Sequence, residues 1–256
     1  MTDSNIIFMY DNLIDSATLT ASSEDANLPV ENIQSAFRTE VFDSLTGTFN
    51  IVIDHGSAKA VTTIAIIDYD WDSDPTTLDL EFNATDSWGA PSVTEDLTGL
   101  WVANPDAYGN RPCIMKTFAS KSYRYNRLNV VHADGAQIGR IFLGVNFIPD
   151  DNYLLDHHIN FVDPSIIQAS ADGQEFSDIL SKYRTVDFGF AIHRTQYTQM
   201  REFHKMLNNV GRSKDLFVAF DYSNYPSEKT MYGKFTDVAL PQPVNYGLSL
   251  SFKESV

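Results

Sequence analysis

Phe49-Asn-Ile-Val-Ile-Asp54 and Thr62-Thr-Ile-Ala-Ile-Ile67, parted by the polar break His55-Gly-Ser-Ala-Lys59, are the stretch whose reading decides the fold. Both runs are rich in β-branched residues, which pack well on a pleated surface and lose rotamer freedom in a helix. Both are too short for a buried helix, so they are predicted as two strands. Leu78-Asp-Leu-Glu-Phe82 alternates with a period of two, as does Tyr123-Arg-Tyr-Asn-Arg-Leu-Asn-Val-Val131, and Ile138-Gly-Arg-Ile-Phe-Leu-Gly144 supplies one more strand. Five or more short strands without a long helix predict an antiparallel β-sandwich over residues 1–148.

The alternation stops around Pro149-Asp-Asp-Asn152, which is taken as a domain boundary. Beyond it, Val186, Phe188, Phe190 and Ile192 alternate with polar or small residues, and so do Tyr246, Leu248, Leu250 and Phe252. Between these strands Tyr197, Met200, Phe203, Met206, Leu207 and Val210 recur at helical spacing. Thr195 is the expected N-cap, and Gly211 stands where a helix end favours a left-handed residue. Leu216-Phe-Val-Ala-Phe220 reads as a buried strand. Residues 149–256 are therefore expected to form a sheet with one packed helix, and the chain as a whole to be mainly β.

With 43% hydrophobic and 20% charged residues the chain has enough apolar matter for ordinary cores and too little charge for disorder. No apolar run approaches the roughly 20 residues needed to cross a bilayer, so no membrane insertion is expected. The first residues lack the basic and apolar regions of a secretory signal, which predicts use without export by the general secretion route. Cys113 is the only cysteine, which excludes an internal disulfide and paired-cysteine zinc patterns. It reads as a small buried hydrophobe.

The formal net charge is -16. Residues 1–110 carry 19 acids against Arg38 and Lys59, residues 111–148 six bases against Asp134. Such a surface repels phosphate backbones, so specific nucleic-acid binding is not expected.

The sharpest chemical pattern is Asp70-Trp-Asp-Ser-Asp74, whose alternate carboxylates suit Ca²⁺, with Glu81 twelfth in count from Asp70. Pro75 occupies the place where the calcium loop needs Gly, and Glu81 lies in a predicted strand, so a solvated loop is the reading adopted. Asp156-His157-His158 offers ligand types for a metal, but adjacent histidines on an extended chain point to opposite faces. His55 and His132 are placed at loop positions, and His193 and His204 flank the helix. Gly-x-Ser-x-Gly is absent, and Gly135-Ala-Gln-Ile-Gly139 has the wrong spacing for a phosphate loop. An acidic chain offers carboxylate pairs everywhere, which makes a glycosidase reading uninformative. Neither an enzyme nor a cofactor is expected. Trp71, Trp88, Trp101, Tyr108 and Tyr125 are candidates for stacking on sugar rings. The candidate ligand loop is therefore Asp70, Trp71, Asp72, Asp74 and Trp88.

Thr20-Ala-Ser-Ser-Glu-Asp-Ala-Asn-Leu-Pro-Val-Glu-Asn-Ile33, Phe37-Arg-Thr-Glu40, Phe49-Asn-Ile-Val-Ile-Asp-His-Gly56 and Val61-Thr-Thr-Ile-Ala-Ile-Ile67 together resemble the discoidin-like jelly rolls found in phage and prophage structural proteins. Phe37-Arg38 here replaces their Trp-Arg. Asp172-Gly173, Tyr183-Arg-Thr-Val-Asp-Phe188, Asn209-Val-Gly211, Leu216 to Asp221, Met231-Tyr-Gly-Lys-Phe235 and Leu248-Ser-Leu-Ser-Phe-Lys-Glu254 resemble bacteriophage tail and baseplate proteins of the distal-tail type. The resemblance implies a tail-tube-like domain that forms a ring, a virion location after assembly in the host cytoplasm, and tube, tape-measure and tip or hub proteins as partners. Open sheet edges that need pairing agree with a ring, and an acidic lumen would let DNA slide. The alternative is a carbohydrate-binding module that attaches the particle to host surface glycans.

Overall fold

The computed structural model describes residues 5–103, 113–154, 158–170, 172, 174–192, 197–222, 229–239 and 246–255. It is mainly β, with antiparallel sheets throughout and one α-helix among the described residues. The chain divides into two compact units, residues 1–148 with 217–231, and residues 149–216 with 232–256. It passes between them three times, so residues 217–231 belong to the first unit although the sequence pattern places them in a second block.

In the first unit the strands are β1 (Ile7–Met9), β2 (Thr18–Ala21), β3 (Phe42–Asp43), β4 (Thr48–Ile67), β5 (Thr77–Asn83), β6 (Val93–Asp96), β7 (Ile114–Val131), β8 (Gln137–Ile138) and β9 (Arg140–Gly144). The sheet order is β2-β4-β7-β5-β6, with β9 also paired to β4. The two strands expected on either side of His55 are one strand, β4, whose ladder with β7 shifts register between Asp54 and Lys59 and again between Val61 and Thr63. The polar break is a bulge, with Gly56 at φ 70°, a conformation glycine adopts without strain. Residues 48–54 lie between β2 and β7, and residues 63–67 between β9 and β7. The same two strands thus serve both layers of a sandwich, bending at the bulges.

Alternation decides what these layers bury. Phe49, Ile51 and Ile53 of β4 pack with Leu78, Leu80 and Phe82 of β5 and Leu128 and Val130 of β7. Ile64 and Ile66 bring Ile114, Ile141 and Leu143 into the same core. The strand expected over 138–144 breaks at Gly139, where a Cβ would strike the Asp68 side chain. Cys113 is buried and free, and burial pushes its thiol pKa up.

The second unit holds β10 (His158–Val162), β11 (Ile166–Ala169), β12 (Glu175–Asp178), β13 (Tyr183–Ile192) and α1 (Tyr197–Val210). The chain then runs through β14 (Leu216–Ala219), whose residues 217–219 pair with β1 in the first unit, and returns in β15 (Thr230–Ala239) and β16 (Tyr246–Glu254). Within the second unit β15, β16, β13 and β10 follow one another antiparallel, and β11 and β12 form a separate hairpin. Phe203, Met206, Leu207 and Val210 of α1 are buried as the spacing predicts, and Gly211 ends the helix at φ 55°. Met200 is not: Gln199 takes the buried position and Met200 lines an outer groove. The proposed N-cap Thr195 lies outside the described residues.

Leu128 is fully buried between β4 and β5. Leu128→Ala is expected to destabilise the first unit by about 2–5 kcal/mol, read from urea or thermal unfolding. An unchanged midpoint would contradict the core described above.

Candidate functional site

The acidic loop after β4 is fastened by its own carboxylates. Asp68 turns the chain at φ 54°, a left-handed conformation that Asp tolerates, and pairs with Arg38. Asp70 accepts the Gln137 backbone N–H at 2.7 Å, and Asp74 accepts that of Gly99 at 3.3 Å. Asp72 lies 3.2 Å from His132 Nε2. These three carboxylates reach different partners, the Gln137 and Gly99 backbones and the His132 ring, and the described residues hold no group of three metal-ligating side chains. Trp71 is only 3% exposed, with its ring stacked on Tyr69 at 5.3 Å. It anchors the loop from inside and presents no face to a sugar. Its indole N–H is buried without a partner, while its carbonyl accepts from the Trp101 indole.

Ser73 Oγ lies 3.1 Å from His132 Nε2, the distance of a nucleophile and its base. Nδ1 of the same ring sits against both the Asp134 carbonyl, at 3.2 Å, and the Asp134 backbone N–H, at 3.3 Å. Nε2 meets both Ser73 and Asp72, and Ser73 Oγ also donates to Asp72 at 3.0 Å. The trio fastens the loop to the end of β7.

Trp88 is placed differently. It sits half-exposed in the β5–β6 connection, donating its indole N–H to Asp86 at 2.7 Å, with the Arg127 guanidinium 4.8 Å from its ring centroid. Arg127 donates to Glu81 at 2.5 Å, and the two are cross-strand partners. Asp79 lies beside them, opposite Asn129 on β7 and Asp96 on β6. Burial pushes the Asp79 carboxyl up, and the neighbouring Asp96 and Glu81 charges push the same way. Trp88, Arg127, Asp79 and Asp96 thus lie toward one side of β7–β5–β6, while Glu81, the partner of Arg127, is itself buried at 7% exposure. Asp70, Asp72 and Asp74 are not part of this constellation. Period-two alternation makes Glu81 and Arg127 legible as outward residues, but their pairing needs the strand register.

Further along β4 and β7, Arg124 donates through Nε and a terminal nitrogen to the two oxygens of Asp54, both at 2.8 Å, and covers the Tyr125 ring at 4.7 Å. His55, expected in a loop, belongs to β4 and sits 2.6 Å from the buried Asn126 amide oxygen. Burial pushes its pKa down. Of the other candidates, His158 opens β10 and His204 is exposed on α1, while Tyr108, Asp156, His157 and His193 lie outside the described residues.

The second unit shows what the sequence pattern did not. Ile159 and Phe161 on edge strand β10 face the same side as the buried Val186, yet stand 43% and 77% exposed. On the hairpin, Ile167 is 69% and Phe176 60% exposed, and Ile179 just beyond it 80%. The only sequence signals were the apolar pairs Ile166-Ile167 and Ile179-Leu180, whose side of the fold periodicity could not assign.

No protein-family model and no curated protein matches the sequence. Among solved structures, chitosan-binding module 1 of a Paenibacillus sp. IK-5 chitosanase/glucanase is 19% identical, covering 53% of this chain and 99% of its own, at TM-score 0.37. A fucose-binding module of Streptococcus pneumoniae is 12% identical (53% and 95%, TM-score 0.40). A Clostridium perfringens carbohydrate-binding module in complex with GalNAc-β-1,3-galactose is 10% identical (53% and 100%, TM-score 0.42). At such scores function has to be argued from the residues of this chain.

The Arg124 guanidinium holds the Asp54 carboxyl at about 2. Because this folded-state pKa lies below the ordinary carboxylate value, the pair stabilises the fold above that value, and the contribution is lost as pH falls through about 2. Arg124→Ala is expected to return the Asp54 midpoint toward about 4, read from its carboxyl carbon shift in an NMR titration. A midpoint still near the wild-type value would show that another group sets it.

Proposed function

We propose that the chain is a non-catalytic structural subunit that joins copies of itself through its second unit, in the manner of a distal-tail or baseplate ring linking a tail tube to its tip. The observation that carries this reading is the exposed apolar side chains that β10 and the β11–β12 hairpin present among the described residues. A sheet face that is buried at Val186 and open at Phe161 has no cover among the described residues. An isolated two-stranded hairpin is marginal in water, and an exposed apolar edge is a template for pairing. Association removes both costs, and apolar surface of this kind marks interaction sites in soluble proteins. Tube, tape-measure and hub proteins would be the further partners, and the assembled virion the location.

Glycan binding by the first unit is a second reading, favoured by Trp88. A half-exposed indole beside Arg127 and Asp86, at one end of the sheet face that carries Asp79 and Asp96, combines a stacking platform with charged hydrogen-bonding groups, the pairing sugar recognition uses. Fucose and GalNAc-β-1,3-galactose, named with the similar modules, are suitable probes.

Sedimentation velocity on the full chain is expected to show a closed oligomer, and Phe161→Asp with Ile167→Asp to shift it to monomer with an unchanged circular dichroism spectrum. Wild-type protein that stays monomeric at high concentration would sink the ring reading. On a glycan array, Trp88→Ala is expected to weaken any binding by about tenfold or more. Binding untouched by Trp88→Ala would remove this face from consideration.

A further inference from the structure

The outer face of α1 is a groove of about 810 Å³ lined by Met200, Arg201, His204, Lys205, Asn208 and Asn209. These positions repeat at i, i+4 and i+8, so they form one stripe. The described lining residues are Met200, two cations, a histidine and two amides, with no carboxylate among them. Glu202 pairs with Lys205 at 3.6 Å from the side of the stripe.

The β11–β12 hairpin has the opposite character. From residue 164 to residue 181 the chain has the acids Asp172, Glu175 and Asp178 and no base. Gln168 faces Phe176, and Ile166 faces Asp178, so one face of the ribbon carries Ile166 and Phe176 beside Asp178. The other carries Ile167 beside Glu175. Each face thus offers an exposed apolar side chain next to a carboxylate. The groove offers a thioether next to cations, and methionine adapts to irregular apolar partners.

We infer that the α1 groove of one copy receives the β11–β12 hairpin of the next, with the hairpin face that carries Ile167 and Glu175 turned toward it, Glu175 set against Arg201 and Lys205 and Ile167 against Met200. The inference rests on the self-assembly reading above and names its contact. Two different surfaces meet, so the interface is heterologous, the type that closes a ring when the rotation allows. Complementary charge here sets partner choice and register, and the apolar residues contribute the desolvated area.

Charge exchange tests it on the full chain. Glu175→Lys with Asp178→Lys makes the hairpin basic, and Arg201→Glu with Lys205→Glu makes the groove acidic. Each double variant alone is expected to self-associate about tenfold or more weakly by sedimentation equilibrium, with an unchanged circular dichroism spectrum. An equimolar mixture restores assembly, because every contact between unlike variants is again complementary. A groove variant that assembles like wild type, or a mixture that stays as dissociated as its components, overturns the inference while leaving self-assembly intact. Binding of an unrelated acidic peptide to the wild-type groove without any loss of assembly also overturns it. Monomeric wild-type protein overturns the assembly reading itself.

Discussion

The ladder between β4 and β7 is the constraint on which the rest of the first unit depends. These strands pair from Thr48↔Val131 to Ile66↔Ile114, and each contributes to both layers of the sandwich. A slip of one residue would turn Phe49, Ile51 and Ile53 outward and Asn50, Val52 and Asp54 inward, so the buried face allows one register. The bulge between Asp54 and Lys59 takes up the bend that two layers require. The polar pairs follow from that geometry. Arg124 reaches Asp54, and His55 reaches Asn126, because the extra residues of the bulge carry them past the regular ladder.

Cations are scarce in this chain, 18 Lys and Arg against 34 acids, and several arginines are drawn inside. Arg38 is held by Asp68, Arg140 by Asp15 and the Ile33 carbonyl, and Arg184 by Glu254. A guanidinium suits such places because its planar fork meets both oxygens of a carboxylate, as Arg184 does with Glu254 at 2.9 and 2.7 Å. Buried pairs of this kind do little for net stability once desolvation is counted, but losing one partner strands a charge. Their consequence is positional. The acidic loop, the β9 strand and the end of β16 are each tied to one place by a pair whose members lie far apart in sequence.

Strand positions in both halves and the α1 stripe were legible because alternation and helical spacing report burial directly. His55-Gly-Ser-Ala-Lys59 was misread as a separator, since a polar run inside a strand looks the same whether the chain turns back or bulges and continues. Met200 was misread for a related reason: periodicity places the stripe within one residue, and the buried position went to Gln199. The loop candidates split by depth. Asp70, Asp72, Asp74 and Trp71 were singled out for density of charge and aromaticity, yet the carboxylates bind the Gln137 and Gly99 backbones and the His132 ring and the indole is packed, contacts that no local pattern encodes. Trp88 gains meaning from Arg127, some 40 positions away, through register alone. The exposed edge was illegible for a deeper reason. Apolar residues predict burial, and Phe161, Ile167 and Phe176 stand exposed among the described residues.

The distribution of charge bears on the proposal that copies of the chain meet through the second unit. The first unit carries 22 acids against nine bases, the second 12 against nine. Like copies meeting through the second unit bring far less net charge within a Debye length of about 8 Å than copies meeting through the first. Exposed apolar residues concentrated there face the lower electrostatic barrier. They also need protection from indiscriminate pairing, since a flat apolar ribbon would stack on its own kind. Glu175 and Asp178 supply it. Bringing two identical hairpins edge to edge sets these carboxylates against their copies, while a surface of opposite charge meets no such opposition. The same side chains that keep the hairpin from pairing with itself therefore leave open a contact with a different surface.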